Sequence, residues 1–343
     1  MDHVAIDLGG RESQICTRSG DGQILEEDRR ATRSLGQYLA ARAPSRVVME
    51  TCAEAFAVAE KAREAGHEVV VVPSMLVRSL GVGHRGIKTD VRDARNLSEA
   101  SCRMERLPSV HVPSMESRER KAMCSVREAL IQVRTKLINS IRGWMRSQGL
   151  GTVRSGSPTT FSRRARELAE AQARQIPPYV EWALISIESL NGQITEADDE
   201  LEEIAKTDPT CKLMMTAPGV GPISALRFVA AVDHVDRFPD AHRLESYIGL
   251  TPGEKSSSDK KQRTGLTKAG AVKVRWVFIQ AAWAARRYYK DDPVVQWSME
   301  VEKRRGKHVA VAALARRLVG ILYAMWRDLR PYDRNHRGRL QPV

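Results

Sequence analysis

The sequence predicts an α/β domain with a mixed sheet, then a region of long helices, then a mainly α C-terminal domain. Three observations carry this reading. Short apolar runs, first three in succession and then alternating with helical segments, fill residues 1–110. Apolar residues at three-and-four spacing recur over 116–147 and again over 180–201. Past residue 213 the helical pattern resumes, broken by one basic, hydroxyl-rich loop.

In the first region, Val4-Ala5-Ile6 leads into Asp7-Leu8-Gly9-Gly10, a strand followed by a turn. Glu12 to Arg18 and Gln23 to Arg29 read as two further strands, and Arg46 to Met49 is an apolar run ending at Glu50. Glu54 to Gly66 has helical spacing and closes on a glycine. Glu68 to Val72 is an unbroken valine run, the mark of a strand buried on both faces. Val91 to Arg106 reads as a helix.

Residues 111–208 read as a long-helix, coiled-coil region. Met123, Val126, Leu130, Val133, Leu137, Ile141 and Trp144 form an amphipathic stripe, with a basic opposite face. A second stretch carries Val180, Leu184, Ile187, Ile194 and Leu201, with Asn191 and Asp198 on the same seam. The two pair as an antiparallel hairpin or as a coiled coil with another subunit. The segment Ser147 to Pro178 reads as the hairpin tip. Residues 209–330 read as the C-terminal domain and 331–343 as a loosely held basic tail.

Composition narrows the function. Lys and Arg number 55 against 42 Asp and Glu, a formal net charge of +13, which favours a polyanionic partner. No apolar run approaches the roughly 20 residues that cross a bilayer, and Asp2, Asp7 and Arg11 interrupt the opening, so a cytoplasmic, nucleoid-associated protein with no membrane partner is expected. Cys16, Cys52, Cys102, Cys124 and Cys211 are scattered and read as reduced structural thiols. The histidines show no ligand spacing.

Four acids stand out. Asp7 and Glu50 end strands, and Asp90 and Asp93 lie three apart at the start of a helix. Carboxylates gathered at a sheet edge repel one another unless a cation lies between them, and Mg²⁺ takes such oxygen ligands. Singly, Asp7 can cap a turn and Asp90 can be a helix N-cap. Together, in this order, the four favour a catalytic group.

The strings Ala5-Ile6-Asp7, Val48-Met49-Glu50-Thr51-Cys52 and Lys88-Thr89-Asp90-Val91-Arg92-Asp93-Ala94 resemble the D…E…D-x-x-D pattern of the DEDD transposases, the Piv/MooV-like enzymes of insertion-sequence family 110. The resemblance implies a ribonuclease-H-like, RuvC-like N-terminal domain in which Asp7, Glu50, Asp90 and Asp93 bind Mg²⁺ or Mn²⁺. Gly10, Arg11 and Ala53 depart from the family's usual residues beside these motifs.

In the C-terminal domain, Ala217-Pro218-Gly219-Val220-Gly221-Pro222 opens a helical run. Backbone N–H groups at such a turn suit a phosphate, with Gly219 and Gly221 as contacts, while a plain turn between packed helices is the bland alternative. It looks like a helix-hairpin-helix element. The loop that follows runs from Tyr247 to Gly270, and Lys255, Lys260, Lys261, Arg263 and Lys268, with Lys273 and Arg275, are candidate phosphate contacts. A serine among cations can attack a phosphodiester, or the loop's serines can simply hydrogen-bond the backbone. Gly249-Leu250-Thr251-Pro252, a short serine stretch and Thr267-Lys268-Ala269-Gly270 resemble the C-terminal transposase domain of the same family. In that family one serine forms a covalent link to DNA. Counting from the Gly-Leu-Thr-Pro string it falls on Ser257, with Ser256 and Ser258 as alternatives, and Asp259 and Lys260 stand where glycines are usual.

Trp276, Trp283 and Trp297 read first as packing anchors and second as stacking residues for bases, and Lys303 to His308 as a basic run beside the loop. The resemblance implies a recombinase of donor and target double-stranded DNA, guided by a structured non-coding RNA and acting as dimers and tetramers. The alternatives are a metal-only junction endonuclease and a non-catalytic nucleic-acid-binding scaffold.

Overall fold

The computed structural model describes residues 1–77, 89–153, 156–257 and 260–335, and the side chains of 254–257 and 260–263 lie outside that description. The chain divides into two compact units, Met1–Pro113 and Ser114–Val343.

The first unit holds β1 (His3–Asp7), β2 (Glu12–Arg18), β3 (Ile24–Ala31), α1 (Leu35–Ala40), β4 (Arg46–Glu50), α2 (Ala55–Glu64), β5 (Glu68–Val72), α3 (Ser74–Val77) and α4 (Asp90–Arg103). The strands form one mixed sheet in the order β3-β2-β1-β4-β5. The β3, β2 and β1 strands are antiparallel, and β1, β4 and β5 run parallel. Side-chain alternation explains the unbroken apolar strands, because each parity has its own cover. Val4, Ile6, Val47, Met49 and Val71 pack with Leu35 and Leu39 of α1 and Val58 and Ala62 of α2. Ala5, Val48, Val70 and Val72 pack with Leu97 and Ala100 of α4. The open edge, β3, is lined with Glu26, Glu27, Asp28, Arg29 and Arg30, charges that discourage pairing with another strand.

The second unit holds α5 (Met115–Ser147), α6 (Phe161–Glu170), α7 (Pro178–Thr207), α8 (Pro209–Met214), α9 (Pro222–Val232), α10 (Ala241–Ile248), the strands β6 (Pro252–Ser257) and β7 (Lys260–Leu266), α11 (Val272–Tyr288), α12 (Pro293–Arg305) and α13 (Lys307–Asp328). The long helices form an antiparallel hairpin within the chain. Arg120 pairs with Asp208 at 2.8 Å, Arg127 with Asp198, and Arg134 donates to Asn191 at 2.9 Å. The seam on α5 keeps Ile141 of the predicted stripe, and Met123, Leu137 and Trp144 pack partly against the cores, but the rest of the seam is shifted by one residue. Cys124, Arg127, Arg134, Ile138, Ile141 and Met145 face inward, while Val126 and Val133 are exposed. The segment between the helices is not only a tip: Phe161 and Ala165 of α6 are buried against Ile141, Leu184 and Ile187.

The core of this unit is built on α9, α11 and α13, with Phe228 edge-on to Phe278 at 5.3 Å between ring centroids. Among the described residues α13 alone has the length and composition to cross a membrane, although Arg316 and Arg317 interrupt its apolar run. Its Val311, Leu314, Leu318, Val319 and Leu322 fill the core instead. Asp233, at φ +64°, ends α9 and ties it to the start of α5, accepting hydrogen bonds from Ser114 N, Ser114 Oγ and Ser117 Oγ at 3.1, 2.6 and 2.7 Å. Tyr332, within the stretch expected to be loosely held, is fixed: its hydroxyl donates to Asp292 at 2.8 Å, and its N–H to Thr216. The five cysteines are free, and burial pushes the Cys211 thiol up to about 12.

Candidate active site

Asp7 and Glu50 are the last residues of two adjacent parallel strands, whose register runs Ala5 opposite Val48 and Ile6 opposite Met49. The alternation that turns Ala5 and Val48 toward α4 turns Asp7 and Glu50 the same way. Both are partly exposed at the C-terminal end of the sheet, where open sheets place ligands.

The polarity of α4 follows from its contacts. His3, which begins β1, hydrogen-bonds Ser101 at 2.8 Å. Arg46, which begins β4, donates to the carbonyls of Ser101, Met104 and Glu105 at 3.4, 3.2 and 2.9 Å. The C-terminal end of α4 therefore lies over the strand starts, and its N-terminal end lies toward Asp7 and Glu50. The lengths agree: from Ser101 back to Asp93 is about 12 Å of helix, and from His3 to Asp7 about 13 Å of strand. Asp93 is half-buried and Asp90 is exposed. Thr89 caps the helix, accepting from Arg92 N at 3.4 Å, so Asp90 is not the N-cap and its carboxylate is not consumed in that role. Burial, then the neighbouring Arg46 cation, hold the His3 imidazole below its ordinary pKa, which suits a neutral partner for Ser101. Lys88, in the same motif, lies outside the described residues.

The fold thus brings the four acids to one end of one sheet. It does not close them into a ligand set: among the described residues no three of His, Cys, Asp or Glu stand near enough together to hold a metal ion. The donor chemistry, carboxylate oxygens only, is that of a hard divalent cation.

In the second unit the predicted serine loop is a β-hairpin. β6 pairs antiparallel with β7, with Ser257 opposite Lys260, Ser256 opposite Lys261, Lys255 opposite Gln262 and Glu254 opposite Arg263. Ser258 and Asp259 lie outside the described residues, as do the side chains of Lys255, Ser256, Ser257, Lys260, Lys261 and Arg263. Lys268 is exposed, at φ +55°.

The base of the hairpin is built by its two flanking motifs. Thr267 N donates to Thr251 O at 2.9 Å, and Ala271 N to Tyr247 O at 3.3 Å. Gly249 and Gly270, at φ +78° and +83°, lie so close to the facing chain that a Cβ on either would stand 1.9 Å from a carbonyl, Ala269 O or Tyr247 O. Arg275, read from sequence as a phosphate contact, instead donates to Ile248 O at 3.0 Å and Ala269 O at 3.3 Å, clamping both ends of the hairpin. Lys273 likewise pairs with Glu128 at 3.3 Å. Sequence reasoning missed this role of Arg275, because no periodicity marks a side chain that reaches back to a turn.

Gly219 and Gly221 lie in the turn between α8 and α9. A Cβ at Gly219 would meet Ala281 O at 2.3 Å, so this glycine lets the turn pack onto α11, the plain-turn role. Gly221, the residue before Pro222, has open space at its Cβ position.

Residues 4–148 match the DEDD_Tnp_IS110 family model, described as a transposase, and residues 211–296 match the Transposase IS116/IS110/IS902 family. The chain is similar to the transposase for insertion sequence element IS1111A of Coxiella burnetii, 31% identical over 244 residues, which are 69% of this chain and 66% of that protein. It is similar over nearly its whole length to the transposase for element IS1328 of Yersinia enterocolitica, 26% identical over 331 residues, 94% of this chain and 96% of that protein. A probable family 20 transposase of Pseudomonas aeruginosa is 27% identical over 290 residues, 82% of this chain and 84% of that protein.

Proposed function

The chain belongs to the IS110 family of DEDD transposases, and from that premise we propose that it is a cytoplasmic site-specific DNA recombinase using Asp7, Glu50, Asp90 and Asp93 for metal and Ser257 as nucleophile. The observation that carries the reading is the arrival of four carboxylates at one sheet end, with the strand order β3-β2-β1-β4-β5 supporting a ribonuclease-H-like domain.

Asp7 and Glu50 on neighbouring strands, and Asp93 in the first turn of α4, would hold the cation, with Asp90 at the rim. Held there, a divalent ion would supply Lewis-acid polarisation of a scissile phosphate and would offset the charge on its oxygens. Ser257 Oγ attacks the phosphorus, one P–O bond breaks as the serine ester forms, and the serine proton passes to the leaving hydroxyl oxygen. A hydroxyl of the exchanged strand reverses the step. The clamp at Ile248 and Ala269 anchors the base of the hairpin that carries Ser257, and the basic residues Lys255, Lys260, Lys261, Arg263 and Lys268 neutralise backbone phosphates. Gly221, and less directly Gly219, add backbone contacts. A structured RNA from the element guides pairing with donor and target DNA, and dimers and tetramers assemble the reaction.

The test is strand exchange between element-end and target duplexes by the purified chain with the element's non-coding RNA. Exchange is expected to need Mg²⁺ or Mn²⁺, to stop with EDTA, and to stop when the RNA is digested beforehand. Exchange that survives EDTA contradicts the metal assignment, and exchange that survives RNA digestion contradicts the guide.

A further inference from the structure

One face of α11 carries two tryptophans, the first open to solvent and the second beside the cations that lead into α13. Trp276 is 58% exposed, so the packing role read from its sequence position does not hold. Among the described residues no ring or cation is stacked on it. An indole left in water retains about the largest unspent stacking surface that a side chain offers. Trp283 follows seven residues later, on the same face and about 10 Å along the helix. It is half-buried, and its ring carries the Lys307 ammonium 5.1 Å from the centroid and the His308 ring edge-on at 6.4 Å. Arg304 and Arg305, just before Lys307, are exposed. Trp276 itself follows Arg275, the clamp of the serine hairpin.

Flat aromatic surface interleaved with cations fits unpaired nucleic acid, in which bases offer their faces and phosphates their charge. A duplex offers phosphates but keeps its base faces stacked. Cutting and exchanging strands leaves unpaired DNA beside the cut. We propose that this face of α11 and the start of α13 hold single-stranded DNA, with a base stacked on Trp276 and phosphates held by Lys307, Arg304 and Arg305. The inference rests on the recombinase reading and adds to it the place where the opened strand lies.

The test is fluorescence anisotropy of the full-length protein with a labelled oligo-dT, the same oligomer made abasic, an oligo-rU and a random duplex. Trp276→Ala is expected to weaken oligo-dT binding roughly tenfold. Trp276→Phe should restore most of that affinity, and duplex binding should not change. The wild type should bind abasic DNA as weakly as Trp276→Ala binds oligo-dT. Lys307→Gln should flatten the salt dependence of oligo-dT binding. Equal losses on duplex and oligo-dT, no rescue by phenylalanine, or a Trp276-dependent preference for oligo-rU would each overturn the proposal. A wild-type chain that binds none of the four probes contradicts the recombinase reading itself. Normal duplex binding with Trp276→Ala indifferent on oligo-dT contradicts only this inference.

Discussion

Gly270→Ala is expected to abolish strand joining and to destabilise the second unit by about 2–5 kcal/mol, since it adds a left-handed-backbone penalty to an overpacked contact. The new Cβ would stand 1.9 Å from Tyr247 O, and φ is +83°. The obstacle is main chain, so no rotamer change relieves it. Relief requires Tyr247–Leu250 to move away from 268–270, which are the two ends that Arg275 clamps. The serine hairpin then loses its anchor even where the rest of the unit stays folded. Gly249→Ala meets Ala269 O at the same distance and should behave alike. Gly265→Ala is the control, because a Cβ there has nothing within 4 Å, and its effect should stay within about 0.5 kcal/mol. Thermal denaturation together with a joining assay reads both effects. Gly270→Ala with wild-type stability and joining would show that the clamp does not position the hairpin.

Asp7→Asn is expected to lower strand cleavage at least a hundredfold, on the order of what losing even outer partners of a metal ligand costs. Asparagine keeps the shape and removes the charge. Carboxylates sharing one sheet end repel one another, so neutralising one should leave the melting temperature unchanged or slightly raised. Glu50→Gln and Asp93→Asn should match it in direction. Asp28→Asn, on the open edge strand where Asp28 pairs with Arg30 at 2.7 Å, should leave cleavage intact. Stability falling in step with activity would assign Asp7 a structural role instead.

Strands β1, β4 and β5 were legible because burial on both faces leaves short apolar runs, and the acids that end β1 and β4 stand out against them. The 3₁₀ turn Thr32–Ser34 and the six-residue α1 were missed, since a single turn or two is too short to show a period. On α5, two seven-residue patterns run side by side, offset by one. The more apolar one, with Val126, Leu130 and Val133, drew the reading, yet the inward seam carries Arg127 and Arg134. Those cations are satisfied by Asp198 and Asn191 of α7, a pairing that hydrophobic spacing cannot reveal. The serine hairpin reads as a loop in the sequence because β6 and β7 are polar between Pro252 and Leu266, so no apolar alternation marks them. The motif at its ends was visible as a string of residues, but the reason for its two glycines appears only when the ends are seen to touch.

In the proposed reaction, carboxylates and a serine of this chain act together on DNA. The most direct measurement is a denaturing gel of the protein incubated with labelled element-end DNA, the element's RNA and Mg²⁺. A DNA-linked protein band is expected, lost with Ser257→Ala and with Asp7→Asn, both of which still bind the duplex. Cut DNA without any linked protein, formed equally well by Ser257→Ala, would contradict it and favour a metal-only nuclease.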